Sequence, residues 1–168
     1  TMKSYEGTHT YEITATDENG RSTTQKLSIA YGQIIEPRIV WVGYDIDQRQ
    51  TITKDMTCMI RVTAPLAIKD FTIKIISDTL TPEELEKVEL AAEFSLVTST
   101  EFAESLSGLG FPVGDEVYGK TLISEDDLNI TGFLAILGGF PGDHDFEMTV
   151  TDMEGNVTTK TVMLHANE

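Results

Sequence analysis

This 168-residue chain contains two pairs of closely spaced aspartates whose type and spacing could bind a ligand. Asp45 and Asp47 lie in the segment YDIDQ, and Asp143 and Asp145 lie in DHD. Carboxylate oxygens are preferred ligands of Ca²⁺, which takes roughly six to eight oxygens. Neither pair has the spacing of an EF-hand loop. These four residues are therefore candidate calcium ligands, and the sequence indicates no other cofactor.

Asp17 and Asp152 occupy a different kind of segment. They begin DENG and DMEG, in which a glycine follows three positions after the aspartate. An aspartate side chain at the start of a turn accepts hydrogen bonds from backbone amides two residues on. We therefore favour a turn role over a metal role for both residues.

Three aromatic residues are candidate stacking platforms for a sugar ring: Trp41, Tyr44 and Tyr118. Trp41 lies in the apolar run RIVWVGYDI, where burial in a core is the competing interpretation and the one we favour. Tyr118 borders the glycine- and proline-rich segment GFPVGDEVYG, and loops of this kind often carry binding sites. Two or more of these aromatics on one exposed face would favour binding.

Catalytic chemistry has no motif in this sequence. The three histidines, His9, His144 and His165, have no partners at metal-ligand or triad spacing. Cys58 is the single cysteine and alternates with Ile60 and Val62, which indicates a small buried hydrophobe. We therefore expect that the protein is not an enzyme.

One segment of the chain occurs twice. This repeat predicts some of the secondary-structure elements that position the candidate residues. Residues 11–24 read YEITATDENGRSTT and residues 146–159 read FEMTVTDMEGNVTT. A shift of 135 positions gives nine identities over the 23 positions from Gly7 to Ile29. The shift also places His9 on His144, which favours a structural role for this histidine.

Each copy has the pattern of a β-hairpin. Apolar residues alternate with polar ones on both sides of the turn, which is the period of two expected of half-buried strands. The glycine of each turn supplies a positive φ angle. In the second copy, the buried face should consist of Phe146, Met148 and Val150, with the turn at Glu154–Gly155.

The pattern Tyr/Phe-x-x-Thr-x-Thr-Asp-x-x-Gly-x-x-Thr-Thr resembles the closing hairpin of bacterial immunoglobulin-like modules, including the hyalin-repeat-like kind. The resemblance covers residues 7–30 and 142–165 best. It implies tandem modules on secreted or surface-anchored proteins. Residues 1–31 would be the closing hairpin of a preceding module, residues 32–37 a linker, and residues 38–168 a second module.

The middle of the second module combines strands with helices. Alternating runs at RIVWVGYDI, TCMIRVTAP, KDFTIKIIS and EVYGKTLIS predict strands. TPEELEKVEL has a Thr81 cap and predicts a helix, as do TSTEFAESLSGLG and the stretch from Thr131 to Leu137. We predict a mainly β fold, an Ig-like β-sandwich with two or three short helices inserted in the middle. The stretch APLAIKDFTIKIIS…LTPEEL is similar to helix-bearing Ig-like modules of Gram-negative surface lipoproteins.

The net charge of −16, from 28 acidic and 12 basic residues, argues against a nucleic-acid partner. No apolar run reaches the length of a membrane span. The sequence carries no signal peptide, so an exported protein would have lost it. We expect a cell-surface or periplasmic location, with other domains of the same surface protein as partners and a glycan or protein as a further candidate.

These observations lead to one functional expectation and one alternative. We expect a non-catalytic, exported Ig-like module that acts as a spacer or adhesion domain. The alternative is a glycan-binding or calcium-dependent binding module. In either case the first hairpin has an apolar face of its own, which we expect to pack on the main module or on a neighbouring chain.

Overall fold

The computed structural model describes residues 7–31, 36–87 and 89–167, and the chain divides into two compact units, Thr1–Ile34 and Ile35–Glu168. The predicted linker at residues 32–37 falls mostly on residues 32–35, which lie outside the described residues. The assignment of the first unit to a preceding module stays a prediction.

The first unit contains one antiparallel hairpin. Its strands are β1 (Gly7–Thr16) and β2 (Ser22–Tyr31), with Tyr11 opposite Leu27 and Ile13 opposite Gln25. Threonines and isoleucines occur in both strands, as suits a pleated surface. Tyr11, Ile13 and Leu27 are about half exposed, at 53%, 58% and 49%. The apolar face of this hairpin is therefore open.

The second unit contains two sheets. Its strands are β3 (Arg38–Trp41), β4 (Gln50–Thr51), β5 (Ile60–Thr63), β6 (Ile68–Ser77), β7 (Glu93–Ser95), β8 (Leu122–Ile123), β9 (Gly142–Asp152) and β10 (Val157–Ala166). One sheet has the order β4-β10-β9-β6-β7, and the other has the order β3-β5-β8. All strand pairs are antiparallel except β4 with β10.

The two sheets share one apolar core, which makes the unit β-sandwich-like. Phe71, Ile73 and Ile75 on β6 are buried while Thr72 and Lys74 point away, as the alternation predicts. From the opposite sheet, Trp41, Ile60 and Val62 belong to the same buried cluster. The predicted mainly β fold class is confirmed.

Three short helices lie between the early strands and the closing hairpin. They are α1 (Pro82–Lys87), α2 (Ala103–Gly108) and α3 (Thr131–Leu137). The predicted cap of α1 is present, because the amide of Glu84 donates to Thr81 Oγ1 at 3.4 Å. The predicted bounds of α3 agree with the structure.

A chain of aromatic rings connects the helical segment to the larger sheet. Phe94 on β7 contacts Phe111, which contacts Phe133 on α3, which contacts Phe146 on β9. The ring centroids are 5.6–6.5 Å apart with steep interplanar angles, the edge-to-face geometry that aromatic pairs prefer. Helix α3 is thus part of the core.

The predicted strand EVYGKTLIS is wrong over its first half. Only Leu122–Ile123 forms a strand, whereas residues 114–119 form a short 3-10 turn followed by a further turn. Gly119 has a φ angle of +75°, which an extended strand does not contain. The positive φ angle at this glycine interrupts the extended conformation.

Candidate functional site

The structure brings the two aspartate pairs to the same part of the five-stranded sheet. Asp45 and Asp47 lie in the loop between β3 and β4, while Asp143 and Asp145 lie at the start of β9. Arg49, in the same loop as the first pair, contacts both aspartates of the second pair, and Lys160 on β10 contacts Asp47. These residues lie on or beside the neighbouring strands β4, β10 and β9.

Arg49 contacts both aspartates of β9. Its Nη2 donates to Asp145 Oδ2 at 3.2 Å, and its Nη1 lies 2.8 Å from Asp145 Oδ1 as an ion pair without hydrogen-bond geometry. Nη1 also donates to the carbonyl oxygen of Leu164 at 2.9 Å, and Nε lies 3.4 Å from Asp143 Oδ2. Arg49 therefore fixes the loop before β4 to β9 and β10.

His165 completes the same cluster from β10. Its Nδ1 donates to Asp143 Oδ1 at 2.7 Å. This hydrogen bond lowers the pKa of Asp143, partial burial opposes the effect, and the positive charge of Arg49 adds to the lowering. Asp143 is thus held ionised by cationic and hydrogen-bonding protein groups.

The aspartates of the loop have partners of their own. Asp45 accepts from the amide of Asp47 at 3.0 Å and from Gln48 Nε2 at 2.9 Å, as a turn-stabilising aspartate does. Asp47 Oδ1 lies 2.7 Å from Lys160 Nζ. All four candidate aspartates therefore have protein partners in their present conformation.

The acidic residues do not converge on a common point. Within residues 7–31, 36–87 and 89–167, no group of three or more His, Cys, Asp or Glu side chains is arranged to hold a metal ion. A calcium ion at Asp143 and Asp145 would have to displace Arg49, since both carboxylates already contact that guanidinium. The calcium site stays a prediction.

The three candidate aromatics do not share an exposed face. Trp41 is buried, with 1% of its surface exposed, and Tyr44 is half-buried against it with ring centroids 4.7 Å apart. Tyr118 lies elsewhere, in the turn before β8, and is 50% exposed. Among these three residues, Tyr118 alone offers an open ring surface.

His144 is a structural residue in the core of the closing hairpin. It is fully buried, and its Nε2 donates to the carbonyl oxygen of Phe140 at 2.7 Å. The remaining nitrogen, Nδ1, accepts from Ser77 Oγ at 2.9 Å. Both ring nitrogens are occupied, so the imidazole joins β9 to β6. The side chain of its counterpart, His9, lies outside the described part of the chain.

Cys58 is buried, and its thiol is a poor nucleophile. Burial raises the pKa of its thiol to about 12, so the thiolate that acts as a nucleophile is scarce at neutral pH. Its side chain has the core position that the alternation of TCMIRVTAP predicts. The described geometry gives Cys58 a packing role.

Asp17 and Asp152 make the same turn in the two hairpins. Asp17 Oδ1 accepts from the amides of Asn19 and Arg21 at 2.8 and 2.9 Å. Asp152 Oδ1 accepts from the amides of Glu154 and Asn156 at 3.0 and 2.9 Å. Both carboxylates thus hold the backbone of their own turns, as the sequence predicts.

One groove in the described surface lies beside α1. It has a volume of about 550 Å³ and combines apolar with acidic residues: Pro82, Glu86, Glu89, Leu90, Ala91, Ala92, Glu101 and Phe102. None of the candidate site residues borders it. Mixed grooves of this kind occur on many surfaces, and it contains no convergent set of polar groups that would define a ligand.

Sequence reasoning did not find Arg49 or Lys160. Arg49 contacts residues 94 and 96 positions later, Asp143 and Asp145, and Lys160 contacts a residue 113 positions earlier. Such pairs depend on the β4–β10 and β9–β10 neighbours in the sheet. The only local signal is that Arg49 follows the second aspartate of YDIDQR by two positions.

Comparison with known proteins gives no family for this chain. No family model matches, and no curated protein matches. Among solved structures, a Ca²⁺-stabilised adhesin with which an Antarctic bacterium binds ice aligns with 96% of this chain at 13% identity and a TM-score of 0.20. This chain spans 32% of that adhesin chain. A TM-score of this size does not establish a common fold.

None of the described helices is long and apolar enough to cross a membrane.

Proposed function

We propose that the chain is a non-catalytic, exported Ig-like module that serves as a spacer or adhesion domain of a bacterial surface protein. The observation that carries this proposal is the occurrence of one hairpin design in both compact units. The register is the same, because Tyr11 opposite Leu27 corresponds to Phe146 opposite Val162. A design used twice in one chain is typical of tandem structural modules.

Finer contacts of the two hairpins support the same proposal. Thr14 and Thr24 share a hydroxyl hydrogen bond of 2.8 Å across the first hairpin, and Thr149 and Thr159 share one of 2.9 Å across the second. The turn glycines, Gly20 and Gly155, have φ angles of +78° and +87°. These details concern stability and register, and none of them concerns a ligand.

The strand order of the second unit supports the Ig-like part of the proposal. An Ig sandwich has neighbours A-B-E in one sheet and G-F-C-C′ in the other. If β3, β5, β6, β7, β8, β9 and β10 are named A, B, C, C′, E, F and G in chain order, the smaller sheet reads A-B-E. The larger sheet reads G-F-C-C′, with β4 as an additional edge strand beside G. The helical segment between β7 and β8 stands where strand D would be.

The alternative is a glycan-binding or calcium-dependent module, and one observation favours it. Tyr118 presents an open ring in a loop, and Leu122, four residues on, is also exposed. A single exposed ring is a weak platform, because sugar recognition needs polar groups beside the stacked face. The spacer interpretation therefore has the stronger support.

A binding screen with the purified chain tests the proposal. We expect no retained ligand on a glycan array, and no change in melting temperature when Ca²⁺ is added in excess over a chelator. A glycan signal that the Tyr118→Ala variant loses, while Tyr44→Ala retains it, would replace the spacer with a lectin-like function. A calcium-induced rise that Asp145→Asn abolishes would replace it with a calcium-dependent module.

Export needs a separate measurement. Antibody labelling of intact cells that produce the parent protein should detect this module at the surface. Labelling only after both membranes are opened would contradict an exported location.

A further inference from the structure

The first hairpin has an apolar face that its counterpart in the second unit buries completely. Tyr11, Ile13 and Leu27 are 53%, 58% and 49% exposed. The residues that correspond to them by the shift of 135 positions are Phe146, Met148 and Val162, and each is 0% exposed. The same design is thus present once with an open face and once with a covered one.

The second unit shows which element lies beside this design. β9, the counterpart of β1, pairs with β10 on one side and with β6 on the other. On β6, Phe71 lies opposite Val150, Ile73 opposite Met148 and Ile75 opposite Phe146. All six side chains are buried, so the pairing of β6 with β9 also buries the apolar faces of both strands.

We infer that β1 is an acceptor edge for an extended strand of the β6 type, which pairs antiparallel with it in the β6–β9 register. Transferred through the shift of 135 positions, the register places three alternate apolar residues of the incoming strand opposite Ala15, Ile13 and Tyr11. The occupant is therefore a strand from a module of the same kind. In this respect the inference rests on the proposed function.

Charge on the opposite face agrees with this occupant. Lys74 of β6 lies opposite Glu147 of β9, and the counterpart of Glu147 is Glu12 on β1. A β6-type strand would therefore bring a lysine next to Glu12, which also contacts Lys26 of β2 at 2.9 Å. Opposite charges across strands support pairing, whereas like charges oppose it.

Stability gives a physical reason for the edge to be filled. A two-stranded hairpin is marginal in water, and a third strand with an apolar face is what makes a small sheet independently stable. The exposed edge of such a hairpin also offers main-chain groups for strand addition. An added strand contributes both the ladder and the missing apolar contacts.

A peptide titration tests the inference. The probe is a synthetic peptide with the sequence of β6, IKDFTIKIIS, added to the full chain, and the readout is amide hydrogen exchange resolved by residue. We expect exchange across residues 10–16 to slow by roughly tenfold or more at about millimolar peptide, with no change in β9 or β10.

Two matched peptides establish the face that is used. A lysine in place of Ile73 puts a charge opposite Ile13, and this peptide should give no protection. A lysine in place of Ile76, whose side chain is exposed in the structure, should leave the protection intact. The protein variant Ile13→Lys should also abolish the protection, since Ile13 is exposed and lies on the face that the incoming strand would cover.

Several outcomes would overturn the inference. These are equal loss with both peptides, protection of β2 or of the second unit in place of β1, and no protection up to the solubility limit. Concentration-dependent protection of β1 without peptide would show that a second copy of the chain is the occupant. None of these outcomes depends on the glycan or calcium screen, so the spacer proposal and the acceptor edge can fail separately.

Discussion

Asp152 shows how one side chain acquires its role from the turn that surrounds it. Its carboxylate is fully buried and accepts from two backbone amides and from Asn156 Nδ2 at 2.8 Å. Asp17 makes the two backbone contacts in the first hairpin but lies on an exposed surface. The turn hydrogen bonds of Asp152 should therefore contribute more to stability than those of Asp17.

Replacement of Asp152 by alanine tests this difference. Because the variant removes a buried carboxylate that accepts from two turn amides and from Asn156, we expect the melting temperature of the second unit to fall by about 5 °C or more. The matched variant Asp17→Ala should leave that transition unchanged. Calorimetry of both variants, with and without Ca²⁺, gives the comparison, and equal losses would refute a local turn role.

Acid should reduce the contribution of Asp152. Burial acts to raise its pKa, but the hydrogen bonds from Asn156 and from the turn amides outweigh burial, so the folded pKa lies below the ordinary value of 3.8. A lowered folded pKa means that the ionised group stabilises the fold above the unfolded value. That stabilisation is lost as the pH falls through the folded value.

The pH dependence of the variant follows from this sign. The gap in melting temperature between the wild type and Asp152→Ala should be constant from about pH 7 to about pH 5 and should narrow below about pH 4. Glu125, whose pKa is lowered to about 2 by its hydrogen bond with Arg61, titrates in both proteins and cancels in the difference. A gap that widens in acid would show that Asp152 is protonated in the fold.

At the scale of elements, local patterns predicted most of the hairpins and helices. The closing hairpin, its turn and its buried face are confirmed, because alternation and an Asp-x-x-Gly turn specify them within a short stretch. β7 was not predicted, since EFS is only three residues long and pairs with β6 at a distance. The same limit applies to β4, which has two residues.

Gly110 shows how a loop is fixed by a neighbour that is distant in sequence. Its φ angle is +90°, and an added Cβ would collide with the backbone carbonyl of Asn129. Asn129 also forms an isolated bridge with Met59, next to β5. Gly110 therefore has both a conformational and a steric requirement for glycine.

A matched pair of alanine variants separates these requirements. Gly43 has a similar φ angle of +86° but no neighbouring atom within 4 Å of an added Cβ. Gly43→Ala should cost about 1 kcal/mol of unfolding free energy through φ alone. Gly110→Ala should cost roughly 2–4 kcal/mol, because overpacking adds to the strain. Equal costs in urea unfolding would show that the loop moves away from Asn129.

At the scale of the whole molecule, the sequence located individual candidates but not their partners. Asp143 and Asp145 were found from local spacing, whereas Arg49, which contacts both, comes from a loop almost a hundred residues earlier. Trp41 was expected in the core from its apolar run, and it lies there. A side-chain cluster that depends on strand order cannot be predicted from one sequence, because many strand orders are compatible with the same alternation of apolar and polar residues.

We predict that the second unit folds independently of the hairpin in the first unit. The test is urea unfolding of a variant that lacks residues 1–31, with the fluorescence of Trp41 as the probe. Trp41 is the single tryptophan and is buried in the second unit. We expect a folded variant whose unfolding midpoint agrees with that of the full chain within about 0.3 M urea. An unfolded variant, or a midpoint lower by about 1 M or more, would show that residues 1–31 belong to one sandwich with the rest of the chain.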